Sequence, residues 1–332
     1  MGASDKEPGV QAIGNEDLVV GIDVGGTGLK GVVIDLHGHI LAQEYRPTMR
    51  ERGPEAVVES ILAFASDLAK QSYENQRRVV AVGVVVPGLV DEEAGVARLA
   101  VNLGWKDVPL RKLLGESLGL PVVVGHDVRA GGVAEGLLGA ARNCANYMFA
   151  TLGTGVGAVI VLRGSPYPGV NGVAGEFGHI VVQPDGPRCS CGLNGCIEAL
   201  ASASAVAKRY QELAGAQEQI SARDVAERAV AGDKAASKIW EDAIEALSLG
   251  IANYVTLLDP ERVILGGGMA DAGPTLFEPL NARLARLVRF QPVPAVVPAE
   301  LGNDAGYLGA ALKAWLAIGV PQEDLNWRGA GK

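Results

Sequence analysis

Histidine, cysteine and aromatic residues are all scarce in this chain, and each shortage narrows what it can be. Among 332 residues there are 4 cysteines and 4 histidines, and aromatics make up only 5%. So few cysteines, three of them clustered, imply reduced thiols that hold a metal, and hence a cytoplasmic protein. Positive charge is in deficit: 29 basic against 38 acidic residues leave a net charge of -9. That argues against a nucleic-acid partner. No apolar run reaches membrane-spanning length, and the N-terminus lacks the apolar core of a signal peptide, so no membrane association is expected. The phosphate-loop spacing G-x4-G-K-[ST] is also missing.

Glycine and aliphatic residues fill the space. Gly occurs 45 times and hydrophobic residues reach 48%, a balance suited to an α/β enzyme with many glycine turns and room for about two domains. Residues 1–17 are polar and expected to be disordered. Strands are expected at 18–23, 31–36 and 40–46, followed by a helix over 53–73 with Val57, Ile61, Leu62, Ala65 and Leu68 on one face. The continuous run Val79–Val86 reads as a buried strand. A short helix at 110–119 and a strand at 122–124 lead to His126-Asp127, and a helix over 128–138 follows. Strands at 147–152 and 158–162 enclose a second Gly/Thr turn. Helices at 202–215, 221–231, 233–258, 274–289 and 305–318, with strands at 262–265 and 295–298, complete the reading. The tail 319–332 is polar and Gly-rich. The repeated strand–Gly/Thr turn–strand arrangement suggests two related α/β halves with a boundary near residue 126.

The densest chemistry lies in Gly175–Glu198, GEFGHIVVQPDGPRCSCGLNGCIE. His179, Cys189, Cys191 and Cys196 follow the order H-x9-C-x-C-x4-C. Imidazole and thiolates are preferred Zn2+ ligands, and four of them close a tetrahedral structural site. The alternative is a disulfide loop or buried free thiols. A Cys-x-Cys disulfide would be badly strained, and three cysteines leave one unpaired. Glu176 and Glu198 flank this cluster. The stretch Asp23-Val-Gly-Gly-Thr-Gly-Leu-Lys30 has phosphate-loop chemistry without the usual spacing. Gly25 and Gly26 let backbone N–H groups approach an anion, Thr27 adds a hydroxyl and Lys30 a charge, while Asp23 is placed to hold Mg2+ through water. By itself this is equally readable as an ordinary Gly-rich hairpin. Leu152–Gly157 (LGTGVG) is a second such turn, so that the two turns can clamp a polyphosphate. Gly266–Gly268 makes a third turn, where Gly267 and Gly268 suit close approach by a flat adenine.

These motifs together resemble the ROK family of repressors, open reading frames and sugar kinases, from about Leu18 to Ile318. Within it the chain is most similar to bacterial glucokinases of actinobacterial type. The resemblance implies a two-domain actin-like ATPase (ribonuclease H-like) α/β fold with a cleft between the domains. Residues 18–126 with the helix 305–318 would form a small domain, and 127–304 a large one bearing the zinc loop. It implies ATP-dependent phosphorylation of glucose to glucose 6-phosphate, with ATP and glucose as partners, Mg2+ accompanying ATP, structural Zn2+, and a homodimer or homotetramer. Thr27, Lys30, Thr154 and Gly155 would meet phosphates. Asp127 would be the catalytic base. Gly88, Asn102, Glu176, His179 and Glu198 would meet the sugar. The family usually has Asn just before the catalytic Asp, at the sugar; this chain has His126 there.

Other readings remain within the family: a kinase for mannose, fructose or an N-acetylhexosamine, a kinase using polyphosphate, a sugar sensor, or a repressor. A repressor would need a DNA-binding helix-turn-helix of about 60–80 residues ahead of the first phosphate loop, whereas 22 residues precede Asp23 here. Cys144 reads as a packed thiol, and His37 and His39 as solvated turn residues.

Overall fold

The computed structural model describes residues 13–71, 77–215, 218–325 and 327. Strands β1 (Asp17–Val24), β2 (Gly28–Asp35) and β3 (Ile40–Pro47) form an antiparallel meander, followed by α1 (Pro54–Lys70). Next come β4 (Arg78–Val86), the short strands β5 (Leu89–Asp91), β6 (Val96–Ala100) and β7 (Trp105–Val108), α2 (Leu110–Leu118), β8 (Val122–His126) and α3 (Asp127–Leu138). The second half holds β9 (Tyr147–Leu152), β10 (Val156–Leu162), β11 (Ser165–Pro166), α4 (Ile197–Ala201), α5 (Ala203–Ala214), α6 (Ala222–Val230) and α7 (Lys234–Leu258). It ends with β12 (Arg262–Gly266), α8 (Pro274–Leu287), β13 (Ala295–Pro298) and α9 (Ala305–Ala317).

Two five-stranded sheets result, ordered β3-β2-β1-β4-β8 and β11-β10-β9-β12-β13. In each, the first three strands run antiparallel and the last two are added in parallel. Both faces of β1 are covered, which is why LVVGID reads as an unbroken apolar run. Leu18, Val20 and Ile22 join a core with Phe64, Leu68 and Leu114 of α1 and α2. Val19, with Val32, Ile34 and Ala81, joins a second core with Leu308, Leu312 and Trp315 of α9. Gly21 and Gly83 lie opposite each other on β1 and β4. A Cβ on Gly21 would fall 2.3 Å from Tyr307 O, and one on Gly83 1.9 Å from Ala310 O. The two glycines therefore form the trough in which α9 rests. The large core of the second sheet is built with α4–α8. On its other face α3 packs against β9 and β10, and α3 also packs against α9.

Several expectations need correction. The antiparallel sheet β5-β6-β7 and the short helix α4 were not anticipated, because their strands and helix are too short to show a period. Of the stretch 1–17, residues 1–12 lie outside the described residues. Residues 13–17 form an ordered turn: Gly14 N donates to Asp17 Oδ2, and Asp17 begins β1 while pairing with Arg78. The tail is not merely polar either. Val320, Leu325 and Trp327 are buried, and Trp327 Nε1 donates to Leu36 O at 2.9 Å. The expected helix 53–73 ends at Lys70, with residues 72–76 outside the described ones, and the helix expected over 274–289 ends at Leu287. The other expected strands and helices are present, within a few residues at their ends.

Candidate active site

The site is assembled where strands of both sheets end. The hairpin 25–27 follows β1 and is closed by Gly25 N donating to Gly28 O; Thr48 N and Oγ1 donate to Thr27 O and Gly26 O. Thr27 is left exposed at the tip. The bare side of Gly26 faces Asn102, whose Nδ2 would lie 3.5 Å from a Cβ there. Lys30 Nζ donates to Asn303 O (3.2 Å), just ahead of α9. Asp23 lies against Gly306, in the first turn of α9. Burial, and then the charge of Asp127, push the Asp23 carboxyl up to about 7, with Lys30 pulling the other way. The first glycine hairpin, the start of α9 and Asp127 thus share one electrostatic neighbourhood.

Asp127 is the first residue of α3, directly after β8. Its Oδ1 accepts from Val128 N (2.7 Å). Burial raises its carboxyl to about 6, against the pull of that N–H and of Arg129. His126 caps α3: Nδ1 accepts from Arg129 N (3.3 Å). Burial, then Arg129, push its imidazole down to about 4, while Glu92 and Glu176 act in the opposite sense. Glu176 thereby connects this junction to the metal-ligand segment.

In that segment one ligand atom from each of His179, Cys189, Cys191 and Cys196 lies within 4.8 Å of every other. Cys191 Sγ and Cys196 Sγ are 3.6 Å apart, and Cys189 Sγ is 3.7 Å from His179 Nδ1. Tetrahedral Zn2+ with bonds of about 2.0–2.3 Å needs ligand separations of this size. The segment can turn this tightly because Gly195 sits at φ 69, with Gln183 O where a side chain would be. His179 Nε2 faces Glu176 Oε2 at 3.8 Å. Glu198 accepts from Val156 N (3.1 Å) on one oxygen and from Ser190 Oγ (2.9 Å) on the other. It couples the Cys segment to the second Gly/Thr turn, where it also lies against Gly155.

In that second turn Gly153 N donates to Gly155 O, and Thr154 O accepts from Ser204 Oγ. Gly267, at φ 83, is pressed onto the Leu152 backbone, and Met269 N donates to Leu152 O (3.1 Å). The bare side of Gly268 faces open space. Gly88, at φ 91, is packed against Leu99 O of β6, so its backbone conformation is fixed by the small sheet.

Residues 19–317 match the ROK family. The chain is 35% identical over 311 residues to the glucokinase of Thermotoga maritima, covering 88% of this chain and 96% of that one. It is 34% identical over 312 residues to the glucokinase of Halalkalibacterium halodurans, covering 90% and 94%. This chain belongs to the ROK family. Its structure superimposes with a TM-score of 0.77 on a ROK family glucokinase from Streptomyces griseus in complex with glucose and AMPPNP, at 32% identity, covering 90% of this chain and 99% of that one. The fold is that of the actin-like ATPases, as the two sheets of like order indicate.

Within this ROK chain, proximity and hydrogen bonds draw anticipated residues into three groups: hairpin 25–27 with Asn102 beside Gly26, the His126-Asp127 junction, and the Cys segment joined to the second turn by Glu198; Lys30 reaches Asn303 instead. Charge coupling links the junction to the other two, through Asp23 and through Glu176. The charged residues at the junction that the sequence did not single out are Glu92, Arg129 and Lys313, with Glu92 pairing to both of the others. They are far apart in the chain and carry no local pattern.

Proposed function

We propose that this protein is an ATP-dependent glucokinase, transferring the γ-phosphoryl group of ATP to the 6-hydroxyl of glucose. What supports this reading is Asp127, a recessed carboxylate directly after β8 whose charge acts on Asp23 beside the first glycine hairpin, while Glu176, next to the His/Cys cluster, acts on the neighbouring His126. An ionised carboxylate can orient a hydroxyl and accept its proton as the phosphoryl group arrives. Lys30 and the N–H groups of Gly26 and Thr27 offset phosphate charge on one side, the Gly25 N–H being spent on Gly28 O, and the N–H groups at Thr154 and Gly155 do so on the other. Gly267 and Gly268 border the adenine. Asn102, His126, Glu176, His179 and Glu198, with the Gly88 backbone, converge on the hydroxyls of the sugar.

The donor set of His179, Cys189, Cys191 and Cys196 fits Zn2+, which would act as a structural staple holding Glu176 and Glu198 in place. Asp23 fits a Mg2+ that travels with ATP and supplies charge neutralisation at the phosphates. We assign residues 18–126 with α9 to a small domain and 127–304 to a large one, since α9 lies on the first sheet while α3 lies on the second. We also infer a homodimer or homotetramer in the cytoplasm; no helix among the described residues is long and apolar enough to cross a membrane.

A coupled assay crossing glucose, mannose, fructose and N-acetylhexosamines with ATP and polyphosphate tests the reading. Glucose with ATP is expected to give the highest kcat/KM. A higher value for another hexose, or for polyphosphate, would replace glucokinase by one of those activities.

A further inference from the structure

A carboxylate outside every motif sits where three elements meet. Glu92, in the turn after β5, accepts from Arg129 Nε (2.8 Å) and from the His126 backbone N–H (3.2 Å) on Oε1, and from Lys313 Nζ (2.6 Å) on Oε2. Arg129 is in the first turn of α3 and Lys313 is on α9. Arg129 is 8% exposed, and its Nη1 donates to Gly172 O (2.9 Å), on the segment that leads to Glu176. Burial opposes charge on Glu92, but Lys313 and Arg129 outweigh it and hold the carboxyl at about 2. Removing one partner from such a node leaves the other charges enclosed and uncompensated.

The node holds His126 at two points, its backbone N–H on Glu92 and its ring on the Arg129 N–H. His126 Nδ1 accepts the Arg129 N–H at 3.3 Å, with Asp127 Oδ1 further off at 3.5 Å; as acceptor there, the neutral ring carries its proton on Nε2. The residue is an acceptor toward the helix and a donor on its other edge. An asparagine at this position has the same two functions: its amide oxygen caps a helix and its amide nitrogen donates. Histidine keeps both while carrying the donor further from the backbone.

We propose that Glu92 is a positioning residue that, through Arg129 and Lys313, fixes His126 as an N–H donor to one hydroxyl oxygen of the sugar and makes that hydroxyl a specificity determinant. The proposal rests on the assignment of His126 to the sugar side of the site. A sugar lacking that hydroxyl leaves an enclosed donor unpaired. Sites built to hydrogen-bond a hydroxyl reject the analogue lacking it far more strongly than apolar pockets reject a missing methylene.

The test is kcat and KM for glucose and for its 2-, 3- and 4-deoxy analogues, with a thermal melt for every variant. The wild type is expected to discriminate against one analogue by about 100-fold or more in kcat/KM. His126→Ala should abolish that preference. Glu92→Ala and Lys313→Met should cut it about tenfold, through KM more than kcat, and Lys313→Arg should retain it. The two Lys313 variants carry the test if Glu92→Ala fails to fold. Glu92 and Lys313 variants that slow all sugars by one common factor, or a wild type with no such preference, would overturn the proposal. Undiminished discrimination in His126→Ala would remove His126 from the sugar, overturning the site assignment and the proposal with it.

Discussion

The two five-stranded sheets share one strand order and one pattern of directions, yet their loops carry different chemistry. The hairpin after β1 is flanked by Asp23 and Lys30, and the strand–helix junction of the same sheet carries His126 and Asp127. The equivalent turn after β9, residues 153–155, has no ionisable side chain of its own; Glu198 reaches it from the Cys segment. The fifth strands diverge as well. β8 runs into α3, which covers the second sheet, and β13 leads to α9, which covers the first. A repeated scaffold supplies positions, and the charged side chains of these turns lie in the first copy and its junction.

Asp127→Asn should have the largest effect on this contrast. Turnover is expected to fall about 100-fold or more, with glucose binding by calorimetry retained. Near-normal turnover would shift the base to Glu176 or Glu198, and so to the second half. The wild-type rate should fall as pH drops through about 6, the value to which burial brings Asp127. Stability should show the opposite trend. The folded protein holds this proton more tightly than the unfolded chain, so ionising it costs stability as pH rises from about 4 through about 6. The Asn variant should lose Asp127's share of that decline and keep the share of Asp23, whose carboxyl burial raises to about 7, a difference that melts across the range would reveal.

Cys196→Ser, or chelation, strikes the second half. Bound zinc should disappear by elemental analysis, and the KM for glucose should rise about tenfold or more as Glu176 and Glu198 lose their support. Lys30→Ala should weaken ATP use about tenfold while glucose affinity stays near normal. Loss of glucose affinity instead would assign the first hairpin to the other ligand. The smallest change is expected from Thr154→Ala, a few-fold at most in ATP parameters, because that turn works through backbone N–H groups. An effect equal to that of Lys30→Ala would erase the distinction between the two turns.

Much of this was legible in the chain. Strands covered on both faces appear as continuous apolar runs, and a set of metal-capable side chains spaced within one short segment announces itself, as His179, Cys189, Cys191 and Cys196 do by converging within 4.8 Å. Glycine turns after strands located the hairpins. What escaped notice depends on distance or brevity. β5–β7 are short strands interspersed with charge, in which Arg98 pairs with both Asp91 and Asp107. Trp327 docks over Gly38 from the far end of the chain. Glu92 meets Arg129 and Lys313 only once three elements have come together. His126 was legible as a departure from the family's Asn, but its role as a helix cap was not, since histidine is not a usual capping residue.

The trough formed by Gly21 and Gly83 bears on how the chain is made. Synthesis proceeds from the N-terminus, and α9 begins only at Ala305. Until that helix has left the ribosome, the face of the first sheet that carries Val19, Val32, Ile34 and Ala81 lacks its main cover, Ala134 and Leu138 of α3 being the earlier residues of that core, although its other face has long been closed by α1 and α2. The first half therefore emerges early and finishes last. A nascent chain that stalls or terminates before residue 305 presents an open apolar sheet, the kind of surface that chaperones hold and proteases clear.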